Sequence, residues 1–133
     1  MKSQARVVVV GGGVVGVATL YQLARQGWSD VVLVERNELT SGSTWHAAGL
    51  LPLFNMSYSV GQIHKHSVEL YQGLEAETGQ AVGFSKVSNI RLAMNQDRMD
   101  EYHQYAGVAK TIGVQVEFLT PAQVLEIWPL CNI

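Results

Sequence analysis

Val7-Val8-Val9-Val10-Gly11-Gly12-Gly13-Val14-Val15-Gly16-Val17 joins an unbroken β-branched run to a cluster of glycines and then to a segment that can be helical. A continuous apolar run bounded by glycine is how a parallel strand with both faces buried reads. Beyond the glycines, Val17, Leu20, Tyr21 and Ala24 fall on one helical face, and Gly27 is placed to end the helix. Val31 to Val34 is a second apolar run, closed by Glu35. Together these predict a βαβ unit with a right-handed crossover.

The glycine spacing is GxGxxG, a weak signal by itself and a stronger one between a strand and a helix. Gly11 permits the tight turn out of the strand, Gly13 lets backbone approach a pyrophosphate, and Gly16 lets the helix pack closely on the sheet. The first-turn N–H groups of Val14 and Val15 then face the anion, aided by the helix dipole. No Gly-Lys-Ser/Thr follows, so the turn is not a P-loop. Glu35, with Arg36 beside it, stands about 20 residues beyond Gly16, where a carboxylate can accept from both hydroxyls of an adenosine ribose. That carboxylate would repel a 2′-phosphate, which disfavours NADP and leaves FAD and NAD equal at this point.

Composition bounds the rest. The chain has 133 residues, 47% hydrophobic and 15% charged, with a formal net charge of −2, as in an ordinary globular protein. Its nine Lys and Arg are scattered, so the basic patch of a nucleic-acid binder is missing. Cys131 is the only cysteine, which excludes an intrachain disulfide. The apolar stretch after Lys2 and Arg6 is broken by glycines and fits neither a signal peptide nor a membrane span. A cytoplasmic location is expected, with no membrane partner.

Further along, residues 37–58 lack periodicity and read as loop, with a short helix near Trp45 to Leu50. Ser59 is placed to cap a helix running to Thr78, with Ile63, Leu70, Tyr71 and Leu74 as its stripe and Gly79 as its stop. Ile90, Leu92 and Met94 alternate with polar or small residues and read as a strand, with Phe84 to Val87 as its partner. Met99, Tyr102, Ala106 and Ala109 mark a helix ending before Gly113, and Val114 to Leu119 another strand. Thr120-Pro121-Ala122-Gln123 is a capping box opening a helix to about Trp128. His64, His66 and His103 read as surface histidines, since no third metal ligand accompanies them. The fold class is α/β: a Rossmann-like βαβ unit with its loop and helix over residues 1–80, then the start of an α+β substrate domain over 81–133.

Four stretches resemble a known family: VVVVGGGVVGVATLYQLARQGW (7–28), VVLVERNELTSGSTWHAAGLLP (31–52), HSVELYQGLEAETGQAVGF (66–84) and SNIRLAMNQDRMDEY (88–102). The sequence is similar to the FAD-dependent amine oxidoreductases of the D-amino-acid oxidase superfamily, nearest the dimethylglycine and sarcosine dehydrogenases. In members that carry WHAAG, the histidine is the covalent attachment point of the flavin 8α-methyl group, and that position is His46 here. The resemblance implies that Ser43 and Thr44 present N–H and hydroxyl groups to the pyrophosphate or ribitol, with Gly49 and Leu50 completing the loop. It further implies oxidation of an N-methyl amine, with oxygen or an electron-transfer flavoprotein as acceptor. Members of the family are several hundred residues long, so the chain is read as an N-terminal fragment that is inactive alone. Alternatives are a non-catalytic dinucleotide-binding module, another amine or amino-acid oxidase of the superfamily, and part of an NAD-dependent dehydrogenase, which the segment Ser41 to Leu50 disfavours.

Overall fold

A computed structural model describes residues 3–133 and contains two compact units that divide between Leu50 and Leu51. The charged Lys2 of the apparent leader lies outside the described residues. The division falls well before the boundary at residue 80 expected from the sequence, because the long helix after the loop groups with the second unit.

The first unit is the βαβ element. Strand β1 (Val7–Val10) and strand β2 (Val31–Val34) pair in parallel, with Val7 opposite Val31 and Val10 opposite Val34. Helix α1 (Val14–Arg25) connects them. Gly27 follows its last turn with φ +86°, the left-handed conformation that releases the chain from a helix. The far end of the pair is closed by Asp30, whose carboxylate accepts from the Arg6 N–H at 3.0 Å, while the Arg6 guanidinium lies 4.4 Å over the Trp28 ring.

One expectation for β1 fails: the strand is not buried on both faces. Val7 and Val9 are partly covered, whereas Val8 and Val10 are 53% and 83% exposed. Helix α1 covers one face of the pair, and successive side chains point to opposite faces. Among the described residues only one face of the pair is covered.

The second unit is helical. Helix α2 (Tyr58–Thr78) begins two residues earlier than the sequence implied, capped by Ser57 rather than Ser59; the Ser57 hydroxyl accepts from the Val60 N–H at 3.3 Å. Helix α3 (Gln96–Ile112) is capped by Asn95 and helix α4 (Pro121–Ile127) by the predicted Thr120–Gln123 capping box. Both α2 and α3 end at glycines in the left-handed conformation, Gly79 and Gly113. The α2 stripe differs from expectation: Gly61 and Val68 are buried, while Ile63 is 64% exposed. Gly61 is what lets α3 approach, because a Cβ there would collide with the Ile112 side chain. Val68, Ala109, Ile112 and Val124 form the buried apolar set, and the Lys65 ammonium donates to the Ile112 carbonyl at 3.1 Å, a cation at a helix C-terminus.

The segments 84–87, 90–94 and 114–119 are not strands. The alternation survives, with Val114 and Val116 more covered than Gln115 and Glu117. A strand also needs a hydrogen-bonded neighbour, and none of the three has one among the described residues. Instead, side chains hold these segments in place: Phe84 stacks on Tyr71 at 5.9 Å, the Arg91 guanidinium lies 5.1 Å over the Phe54 ring, and Phe118 stacks on His103 at 4.1 Å. His103 is exposed, as expected, and its ring also stacks on Phe118.

Candidate dinucleotide and flavin site

All the residues singled out for cofactor binding lie in the first unit. Gly11 leaves β1 with φ +105°, a conformation closed to other residues, and its N–H donates to the Val34 carbonyl at 2.8 Å. The turn thereby stays registered to β2. Gly16 sits against the returning backbone: a Cβ there would fall inside the Gly11 carbonyl oxygen and 3.0 Å from the Gly11 carbonyl carbon. Close passage of α1 over the turn requires glycine at this position.

Gly13 is the N-cap of α1 and has no side chain to satisfy the helix end, and no acidic residue occupies the first turn. The first N–H groups of a helix have no intrahelical acceptor, and the helix dipole adds partial positive charge there. One partner reaches in from the loop. The Thr44 hydroxyl accepts from the Val14 N–H at 2.9 Å, and a hydroxyl that accepts one bond keeps its own proton to donate. A Cβ on Gly13 would sit 3.0 Å from that hydroxyl oxygen, so the glycine turn and the loop close on each other without room for a side chain.

Glu35 does more than end β2. Its carboxylate accepts from the Gly12 N–H at 2.7 Å and from the Asn37 N–H at 2.9 Å. Those two backbone bonds, the Gly12 bond foremost, hold its pKa below the usual carboxylate range, partial burial opposing them and the neighbouring Arg36 adding a smaller effect. Each oxygen retains a lone pair, so the carboxylate can brace the turn and still accept from a ribose hydroxyl. Gly12, outside the GxGxxG positions, was missed by the sequence reading. It is buried, and a Cβ there would meet Leu39 at 2.6 Å and Glu35 at 3.1 Å.

The loop carrying His46 is tied down by the same turn. Thr40 donates its N–H to the Gly12 carbonyl at 2.9 Å and holds φ +65°, the only positive φ outside glycine among the described residues. The short helix expected near Trp45 to Leu50 lies slightly earlier, as a 3-10 turn over Ser43–His46. The His46 ring makes a bond of 3.1 Å between Nδ1 and the Gly42 carbonyl. A carbonyl can only accept, so Nδ1 carries a proton, and in the neutral ring Nε2 is the nitrogen with the free lone pair. Trp45 lies tilted beside the imidazole, 4.3 Å between ring centroids, and is itself 67% exposed.

The structure thus brings Gly11, Gly13, Val14, Gly16, Glu35, Thr44 and His46 into one cluster of contacts around the end of α1 or the turn tied to it. Val15, Arg36, Ser43, Gly49 and Leu50 are exposed at its margins. An N-terminal helix end without competing carboxylate, a turn that a Cβ at Gly12, Gly13 or Gly16 would crowd, and a hydroxyl with a donor to spare fit the pyrophosphate of a dinucleotide. His64, expected at the surface, is half-buried, and its Nδ1 bonds the Pro52 carbonyl at 2.6 Å.

Residues 6–133 match the family described as FAD dependent oxidoreductase (DAO). The chain belongs to that family. It is 43% identical over 132 residues to the mitochondrial dimethylglycine dehydrogenase of Rattus norvegicus, and 40% identical over 134 residues to the mitochondrial sarcosine dehydrogenase of Homo sapiens. These alignments cover 99% and 100% of the chain, and the chain spans 15% of the length of either relative. Among solved structures, the L-proline dehydrogenase from P. horikoshii superposes with a TM-score of 0.90 at 26% identity, covering 99% of this chain and 34% of that one. The family's cofactor is FAD, which resolves the tie between FAD and NAD that the glycine motif alone left open. The relatives correct one expectation: a cytoplasmic location does not stand, since both dehydrogenases are mitochondrial proteins. That expectation rested on the glycine-broken apolar stretch after Lys2 and Arg6, which speaks only to whether that stretch is a signal peptide or a membrane span.

Proposed function

We propose that this chain forms the dinucleotide-binding part of an FAD-dependent oxidoreductase that oxidises an N-methyl amine of the dimethylglycine or sarcosine class. The observation that carries the proposal is the bond from the Val14 N–H to the Thr44 hydroxyl. It joins the helix end suited to a pyrophosphate to the turn that bears His46. In this reading the Val15 N–H and the Thr44 hydroxyl proton hold the pyrophosphate, while the Val14 N–H keeps that hydroxyl in place. Ser43, Gly49 and Leu50 flank the flavin, and Glu35, with Arg36 beside it, binds the ribose. When bound, flavin supplies the redox chemistry, accepting a hydride from the substrate carbon next to nitrogen to leave an iminium product. Oxygen or an electron-transfer flavoprotein then takes the electrons.

His46 is proposed as the covalent tether. Its Nε2 would be the atom joined to the flavin 8α-carbon, with Nδ1–H held by the Gly42 carbonyl. The protein's share is to fix the tautomer and the ring direction: with Nδ1–H held on the Gly42 carbonyl, Nε2 is the nitrogen that bears the lone pair in the neutral ring.

The test is acid precipitation of the full-length protein. Yellow, fluorescent flavin is expected in the wild-type pellet and in the supernatant of His46→Ala. Flavin that leaves both proteins on precipitation overturns the tether, and full-length protein without any flavin overturns the proposal as a whole.

A further inference from the structure

We infer that Thr44 is the positioning residue for His46, so that the nucleotide end and the tether are set by a single hydroxyl. The inference rests on the function proposed above and deepens it. The 3-10 turn Ser43–His46 has little else to hold it. Gly42 offers it no side-chain cap, Trp45 is two-thirds exposed, and residues 41–50 are exposed throughout except Thr44. A single 3-10 turn is not stable alone, since fixing its backbone gains few hydrogen bonds.

Two polar bonds connect this loop to the glycine turn. The Thr40 N–H reaches the Gly12 carbonyl, and the Thr44 hydroxyl takes the Val14 N–H. Only the second lies within the turn that carries the imidazole. Inside that turn the order propagates locally: Ala47 donates its N–H to the Thr44 carbonyl at 3.2 Å, and His46 bonds back to Gly42. Thr44 is thus held at its hydroxyl by Val14 and at its carbonyl by Ala47, and the direction of the His46 ring two residues on follows from it. The contact is also close-fitting, because Gly13 leaves no more than a hydroxyl's width between the two segments.

Serine keeps the hydroxyl at this position and valine keeps the shape without it, so the pair separates hydrogen bonding from packing. In the full-length protein, Thr44→Val should lower the acid-stable fraction of the bound flavin at least fivefold, about what losing one such bond does to an equilibrium. Total flavin per polypeptide should fall by less. Thr44→Ser should return the acid-stable fraction to within twofold of wild type. Hydrogen exchange gives a readout that does not depend on attachment: the Val14 amide and amides 43–47 should lose protection in Thr44→Val and keep it in Thr44→Ser.

A wild-type acid-stable fraction in Thr44→Val, or unchanged protection at Val14, overturns the inference. Loss of attachment in Thr44→Ser as severe as in Thr44→Val overturns it too, because packing would then be the cause. Wild-type protein whose flavin leaves entirely in acid refutes the tether and not this inference, which the exchange measurement then decides.

Discussion

Replacing Gly16 with alanine adds one methyl group at the point where α1 crosses the turn that leaves β1. The new carbon would overlap the Gly11 carbonyl oxygen, lie 3.0 Å from the Gly11 carbonyl carbon and touch Val9 Cγ1 at 3.5 Å. Two of those three atoms are backbone and cannot rotate aside, so α1 must move off the turn. Forcing extra methylenes into close packing costs about 1–3 kcal/mol. Alanine in place of glycine within a helix returns roughly 0.5–1 kcal/mol. The net expectation is a loss of about 1–2 kcal/mol, read as a lower urea midpoint of the full-length protein. Gly107→Ala is the internal control, since it lies within α3 with nothing within 4 Å of the added carbon. It should show the helix gain alone and raise the midpoint. The displacement of α1 also carries Val14 away from Thr44, so flavin content should fall in Gly16→Ala and stay at the wild-type level in Gly107→Ala. A Gly16→Ala protein as stable and as flavin-loaded as wild type would refute the claim that close passage over Gly11 sets the site.

Two further outcomes follow from the cap and the carboxylate. Because its folded-state pKa is lowered, Glu35 contributes stability that is complete above the usual carboxylate range and is lost as pH falls through the lowered value. Glu35→Gln should therefore be less stable than wild type at pH 7, with the gap in urea midpoint closing below the usual carboxylate range; a gap that stays constant into strong acid would contradict this. Thr120→Ala removes a hydroxyl that accepts from the Gln123 N–H at 3.4 Å while the Gln123 side chain accepts from the Thr120 N–H at 2.8 Å. It should raise hydrogen exchange at the start of α4 by up to tenfold, consistent with about 1 kcal/mol for an N-cap, and unchanged exchange there would show that Pro121 alone fixes the helix start.

The elements legible from sequence were those specified by local chemistry. β1, α1 and β2 declare themselves through two apolar runs with glycines between, and α4 through four consecutive residues of a capping box. The sequence misled where the deciding partner is remote. Ile90, Leu92 and Met94 have the right alternation for a strand, yet alternation states only which faces differ and says nothing of whether a ladder partner is present. Ile63 was assigned to a buried stripe because it is apolar. Gly61, with no side chain to count, is the residue that admits Ile112 and so orients the α2 face.

The same distinction runs through the candidate site. The motif positions Gly11, Gly13 and Gly16 could be assigned roles from spacing because each role concerns backbone within one turn. Gly12 and Thr40 could not, since their importance comes from a contact across the loop, the Thr40 N–H on the Gly12 carbonyl. Glu35 shows both sides of this. Spacing placed it at the end of β2, beside a ribose, but could not show that its carboxylate already holds the Gly12 N–H. A residue read as a ligand contact is thereby also part of the framework. Any loss of dinucleotide binding in a Glu35 variant consequently has two physical sources, a missing ribose acceptor and a loosened turn. They separate by ligand: a loosened turn weakens every dinucleotide that needs the end of α1, whereas a missing acceptor weakens only those that carry the ribose hydroxyls.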